Sequence, residues 1–320
     1  MSLASDMMVD RRRLRRQLTF WRVAAILALI GGIVTTGLLL TQDRVGKTQA
    51  HIARMQIEGL ITGKQETLDL IQDIEKSSAS AVVLRISSGG GTTSGSEALY
   101  NEVRRLAAKK PVVAVIDGVG ASGAYMTALG ADRILANGSA IVGSIGVIAQ
   151  IPNISKLLDT VGVKVESVRS SPLKAMPSGV EPTTSEARTA LELTVNDTYR
   201  WFRELVGDRR KLEGEALANV TDGRVFTGRQ SVELKLIDAL GSERDAIAWL
   251  EAEKGITKNL VVREYKVRSQ RRGFPGFSAL HQVARLIGLP VPESVDAASE
   301  RVLGAFALDG LVSVWQPGRE

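Results

Sequence analysis

Between Ile52 and Val267, short apolar runs alternate with stretches whose apolar residues recur at helical spacing. That alternation constrains the fold more than any other feature of the chain. Runs such as 80–87 (SAVVLRIS) and 111–117 (PVVAVID) are short and apolar throughout, which suits strands buried in a sheet. Residues 53–61, 132–136, 143–150 and 163–169 read as further strands. Between them, 64–76 places Leu68, Ile71 and Ile74 on one helical face. Residues 94–110 open on serine and close on lysines, and 153–162 open on asparagine and close on glycine, as helices do. Residues 183–212 form a long helix or a helix pair. This order predicts an α/β domain over 52–267 with a mostly parallel sheet and no internal repeat.

Ahead of that domain, eighteen residues from Val23 to Leu40 carry no charge. As a helix they would measure about 27 Å, close to the hydrocarbon thickness of a bilayer. Six arginines precede them against Asp6 and Asp10, so most of the chain's net +6 is concentrated beside the apolar run. The expectation is a basic cytoplasmic tail (1–19), one transmembrane anchor (20–41) and a polar linker (42–51). The basic bias puts the N-terminus inside and the domain outside an inner, cytoplasmic membrane. The apolar run is long for a cleaved signal, and TQDRVGK follows it in place of a small-x-small site. Residues 268–320 read as a separate amphipathic tail, with helical spacing in FSALHQVARLIG and ERVLGAFALDGLVSVW.

Composition removes several chemistries. The chain has no cysteine, which excludes thiol catalysis, disulfides and cysteine-ligated metals. Because the positive charge is local and no aromatics interleave with it, nucleic acid is not an expected partner. The two histidines, His51 and His281, fall in the linker and the tail, where each reads as a surface residue.

Two stretches carry candidate chemistry. RISSGGGTTSG (85–95) ends a strand and opens a helix, so its backbone amides could face a ligand. It lacks the lysine and hydroxyl of a phosphate loop and the glycine spacing of a dinucleotide loop, and it also suits a plain turn. In DGVGASGAYMTALGAD (117–132), Ser122 lies between small residues at the start of a predicted helix. It can act as a helix cap or as a nucleophile whose oxyanion is held by the Gly123 amide and an amide of the first loop. A nucleophilic serine needs a base. A free lysine has a pKa of about 10.4 and serves only where apolar surroundings lower it. Most lysines sit at element ends or beside carboxylates, whereas Lys174 is flanked by Pro172, Leu173, Ala175, Met176 and Pro177. It can be that base or an ordinary solvated loop residue.

Four stretches, in order, resemble the signal peptide peptidase A (protease IV) family in its short, single-domain form. RISSGGG resembles that family's Asn-Ser-Pro-Gly-Gly turn, GVGASGAYM its Ala-Ser-Gly-Gly-Tyr nucleophile segment, and VGSIGVI its Gly-Ser-(Ile/Leu)-Gly-Val strand. DGRVFTGRQSVELKLIDALG (222–241) resembles its late Asp-Gly-Arg-Val segment. The likeness covers roughly 52–250. It implies a Clp-protease/crotonase-like fold, a membrane anchor, a homo-oligomer and a serine–lysine dyad that hydrolyses apolar peptides, such as cleaved signal-peptide remnants, with no metal or cofactor. Carried over, Ser122 is the nucleophile, Lys174 the base, Gly91 and Gly123 the oxyanion donors, and Ser144 the group that holds the lysine amine. Ser87 and Gly89 stand where the family has asparagine and proline, which leaves Gly90 as the alternative to Gly91. Ala124 and Met126 replace a glycine and a tyrosine, and Pro172 and Ala175 replace an aromatic and an acid near the lysine. The rival functions are an acyl-CoA enzyme on a crotonase-like fold and a catalytically inactive peptide-binding scaffold.

Overall fold

The computed structural model describes residues 20–24, 26–27, 30–32 and 49–267, together with the backbone of 312–314. The chain divides into two compact units, Met1–Ala50 and His51–Glu320. In the first unit, the described residues 20–24, 26–27 and 30–32 are helical. Most of the expected anchor 20–41 lies outside the described residues, among which no helix is long and apolar enough to cross a membrane.

The second unit is built on one sheet. Its strands are β1 (His51–Glu58), β2 (Ala79–Ser88), β4 (Val112–Ala121), β5 (Arg133–Ala136), β6 (Ile141–Gly143), β7 (Val225–Thr227), β8 (Ala239–Leu240) and β9 (Val262–Tyr265). They run in the order β7-β6-β4-β2-β1-β9, with β5 and β8 on a branch from β4. Every pairing is parallel except β6 with β7. The short strand β3 (Gly90–Thr92) lies off this sheet and pairs antiparallel with β10 (Val312–Val314).

Parallel strands are buried on both faces, which is why their sequences are apolar without alternation. Val82, Leu84 and Ile86 of β2 face one core, while Ala81 and Val83 face the other. The first core is closed by helices α1 (Gln65–Lys76), α2 (Thr93–Ala107), α3 (Gly123–Ala128) and α5 (Ser185–Arg210). They contribute Ile71 and Ile74, Leu99 and Val103, Tyr125 and Met126, and Phe202 and Val206. The second core is closed by Ala246 and Leu250 of α8 (Glu243–Glu253). Lys110 ties the end of α1 to β4 by donating to the carbonyls of Ile74 (2.9 Å) and Ser77 (2.6 Å). A cation there meets the negative end of the helix.

The feature that matters for the site is a fork in β4. Val113–Ile116 pair with β5, whereas Val119–Ala121 pair with β6. Between the two, the register against β2 jumps from Ile86↔Ile116 to Ser88↔Gly120. Extra residues in one strand bend it and raise its twist. The end of β4 therefore parts from β5 and is received by the β6–β7 wing, while Gly120 still pairs with β2.

Four sequence expectations change. His51 is not a surface residue: it is fully buried at the start of β1, with Nε2 2.9 Å from the Tyr265 hydroxyl. The predicted strand 143–150 stops at Gly143, and 163–169 is not a strand, because no described strand of the chain pairs with it. Val312–Val314, expected within a helix, is a strand. Valines flanking a serine suit an extended backbone, and β3 offers an edge to pair with.

Tyr125 is fully buried and donates its hydroxyl to the Leu236 carbonyl at 2.7 Å. Burial also raises its pKa, which keeps the phenol protonated as that donor. Tyr125→Phe leaves the carbonyl unpaired in the core, and urea unfolding should show a loss of about 1–3 kcal/mol.

Candidate active site

Ser122 follows the bent end of β4 and precedes α3. It is 1% exposed, with φ 56° and ψ −121°. A positive φ is costly for a residue with a side chain. The surroundings hold it there: the Ser122 amide donates to the Gly143 carbonyl at 2.7 Å, and the Ser122 carbonyl accepts from the Met126 amide at 2.9 Å. Although Ser122 occupies the cap position of α3, its side chain makes no capping bond to that helix. The cap role considered from sequence is therefore not the one it plays. The small residues around it, Gly120, Ala121, Gly123 and Ala124, permit the sharp strand-to-helix reversal.

Ser144 is the neighbour across β4–β6. It also has a positive φ, 50°, and its amide donates to the Arg224 carbonyl at 2.8 Å. The DGRVFTGRQ segment gives that carbonyl its place. Asp222 pairs with Arg224, and this ion pair holds the Asp222 carboxyl below its ordinary pKa. Val225–Thr227 then pair antiparallel with Ile141–Gly143, and Thr227 and Gln230 close a capping box on the following helix, α7 (Gly228–Glu233). The late motif thus buttresses Gly143–Ser144, which in turn fixes Ser122.

The glycine loop is settled in similar detail. Gly90 donates its amide to Ser88 Oγ at 3.1 Å, and its carbonyl accepts from Ile61 at 3.0 Å. The Thr92 amide donates to the Ile61 carbonyl at 2.8 Å. Backbone groups alternate along a strand, so the amide and carbonyl of Gly91 point to the opposite edge. Gly91 is glycine because a Cβ there would lie 1.7 Å from the Ile61 carbonyl oxygen. β3 packs against α3, whose first-turn amides, Gly123 among them, have no partner within the helix.

The structure therefore gathers Ser122, Gly123, Ser144 and the Gly91 edge at the C-terminal end of the β4 region. His51 lies at the opposite end of the sheet, since it pairs with Ala79 at the start of β2. Lys174 is placed differently from the other candidates. It sits in a turn closed by its amide to the Ser171 carbonyl at 3.1 Å, and its side chain is exposed. That loop is held at its base: Arg169 donates Nη1 and Nη2 to the two Glu181 oxygens, each at 2.8 Å, and Ser167 donates to Oε1 at 2.7 Å. Hydrogen bonds from Arg169 and then Ser167 lower the Glu181 pKa. Sequence reading missed this clamp and the backbone strain at Ser122. The only local signal for the strain is the density of small residues.

Around this loop the surface is unusually apolar. Leu157, Val161, Val163, Val165, Val168 and Leu173 are all exposed. A groove of about 320 Å³ lies between residues 147–151, Pro177 and α5, lined in part by Ile148, Ile151, Leu191 and Val195.

Comparison with known proteins places the chain in a family. Residues 104–257 match the model of peptidase family S49. A protein of Synechocystis sp. named as a protease is 35% identical over 216 residues, 67% of this chain and 78% of the relative. Another named as a protease, from Methanocaldococcus jannaschii, is 34% identical over 205 residues, 64% of this chain and 66% of the relative. A protein of Enterococcus faecium named as the signal peptide peptidase SppA is 29% identical over 289 residues, 85% of this chain and 81% of the relative.

Gly91→Ala forces β3 away from Ile61 and should be strongly destabilising in urea unfolding. Gly118→Ala, whose Cβ would have Ser87 Oγ 3.8 Å away, should be nearly neutral. The Glu181 clamp has a stated pH dependence. A carboxylate with a lowered folded pKa stabilises above its unfolded value and stops doing so as pH falls through the folded one. Protection of amides in 170–180, read by hydrogen exchange, should therefore hold at pH 5–7 and fall below about pH 4.5. Glu181→Gln should show the reduced protection already at pH 7.

Proposed function

Since the chain belongs to peptidase family S49, with relatives of the signal peptide peptidase A type, we propose that it is a serine endopeptidase in which Ser122 is acylated by an apolar peptide. The observation that carries this is the Ser122 turn: a buried serine at positive φ, uninvolved in capping α3, beside the Gly91 edge. Ser122 Oγ attacks the peptide carbonyl, and the amides of Gly91 and Gly123 receive the oxyanion. With Gly90's amide occupied by Ser88 Oγ, Gly91 is the better donor of the two. The forked, mostly parallel sheet supports the Clp-protease/crotonase-like architecture.

Lys174 takes the Ser122 proton, gives it to the leaving amine and then activates water for deacylation. An amine in bulk water is protonated and cannot do this, so the base has to be dried. The exposed valines and leucines of 157–173 support a way to dry it: a neighbouring copy covers the Lys174 loop, and the homo-oligomer brings that amine to a serine. Ser144, held beside Ser122, would then accept from or donate to the lysine. Residues 20–41 anchor the protein in the cytoplasmic membrane with the peptidase domain outside, a reading that rests on the uncharged run and its arginine flank. Peptide substrates such as signal-peptide remnants would reach the site from the membrane surface.

A fluorophosphonate should label Ser122 in the wild-type protein and nothing in Ser122→Ala. Ser122→Ala and Lys174→Ala should each reduce peptide hydrolysis by at least about a thousandfold with the fold intact. Mixing the two inactive proteins under conditions of subunit exchange should restore part of the activity if the amine comes from a neighbour. Full activity in Lys174→Ala would remove the base; a folded, unlabelled wild-type protein would favour the scaffold.

A further inference from the structure

The fork in β4 is pinned at one residue. Between the pairings Ile86↔Ile116 and Ser88↔Gly120, β2 supplies Ser87 alone while β4 supplies Asp117, Gly118 and Val119. Extra residues of this kind leave the ladder locally unmade, so other bonds have to decide where the bulge sits. They converge on Asp117. Arg85 of β2 donates Nε to Asp117 Oδ2 at 2.8 Å, and its Nη2 lies 2.8 Å from the same oxygen. Asn137, the first residue after β5, donates Nδ2 to the Asp117 carbonyl at 2.7 Å and its amide to the Ile116 carbonyl at 3.1 Å. The bulge is therefore held from β2 on one side and from the end of β5 on the other.

Arg85 is itself held. Glu243, in the first turn of α8, brings Oε2 to 3.7 Å from Arg85 Nε, while its Oε1 accepts from Nη1 of Arg54 on β1 at 3.3 Å. Four charges of alternating sign thus run from β1 over α8 and β2 to the fork in β4. Each of these side chains keeps between 22% and 32% of its surface exposed. Ion pairs this open contribute little to global stability. What they decide is where β4 bends.

Asp117 precedes Ser122 by five residues. Within that stretch Val119, Gly120 and Ala121 pair with Ile141, Val142 and Gly143. A slip of one residue turns every side chain of a strand to the opposite face. It also takes the Ser122 amide away from the Gly143 carbonyl, the 2.7 Å bond that holds the serine at positive φ.

We propose that Asp117 and Arg85 are positioning residues for Ser122: their ion pair fixes the register in which β4 meets β6, and so the direction of Ser122 Oγ. The inference rests on the peptidase reading of that serine and adds two residues which that reading does not use. They act through the strand, not on the substrate. A reacting group misplaced by about 1 Å can cost about a hundredfold in rate.

The experiment uses the full chain and its Asp117→Asn and Arg85→Met variants. The matched control is Asp132→Asn, which breaks an ion pair of similar exposure with Arg104 at the other end of β4. Three quantities are read: the rate at which a fluorophosphonate labels Ser122, kcat and KM for an extended apolar peptide, and hydrogen exchange of amides 118–126. Asp117→Asn and Arg85→Met should each label and turn over at least about tenfold more slowly with KM unchanged, and amides 118–126 should exchange about tenfold faster. Asp132→Asn should match wild type in all three, with a similar shift in urea midpoint. Arg85→Lys, whose amine can serve the single oxygen, should recover most of the rate. The double variant Asp117→Asn with Arg85→Met should be no slower than either alone. Wild-type exchange over 118–126 in both variants, or equal losses in Asp132→Asn, would overturn the proposal. Faster exchange in those two variants alone, with no hydrolysis and no labelling in any protein, would keep the pinned fork and remove the peptidase reading. Hydrolysis and labelling at the wild-type rate in every protein would do the reverse.

Discussion

The hydrogen bond from the Ser122 amide to the Gly143 carbonyl is the point on which the site depends. It exists because β4 outruns its first neighbour. After Ile116 the strand shifts register against β2, abandons β5 and is received by β6. Positive φ at a non-glycine residue costs about 1–3 kcal/mol and persists only where surrounding structure over-determines it. Here the over-determination is visible. Ala121 is paired with Gly143, the reversal that follows is buried, and β7 supports β6 from the far side. The strain is a consequence of fitting a strand end and a helix start around one small side chain.

Two parts of the protein have opposite physical characters. The region around Ser122 is buried, small-residue-rich and braced by three strands. The segment that carries Lys174 is exposed and apolar, and an ion pair fastens it only at its base. Under the proposed mechanism, the contrast between a covered serine and a bare lysine is met by deferring the drying of the base to assembly.

Much of this was legible in advance, for identifiable reasons. The strands β1, β2, β4, β5 and the helices α1, α2, α5 were readable because burial on both faces or on one stripe leaves a direct imprint on residue type. Ser122 and Gly123 stood out because their segment is dense in small residues, Ser144 only through the family resemblance, and the structure brings the three close together. The different surroundings of Gly90 and Gly91 were not legible, because both are glycine and only the hydrogen bonds to Ser88 and Ile61 distinguish them. His51 was misjudged because it closes a polar linker stretch, and nothing local announces the partner Tyr265, 214 residues away. The valines of 163–169 show the converse: alternation is a demand for a strand partner, and no described strand of the chain supplies one.

By itself the sequence determined which segments are strands and helices in the sheet core, that thiol chemistry is absent, and which serine stands at the end of a strand among small residues. These are local properties, set by side-chain size, polarity and backbone freedom. The tertiary structure decided the fork in β4, the edge on which Gly91 presents its amide, the burial of His51 and the seating of Val312–Val314 on β3. Each of those depends on which distant backbone comes within hydrogen-bonding range, and residue order alone does not encode that distance.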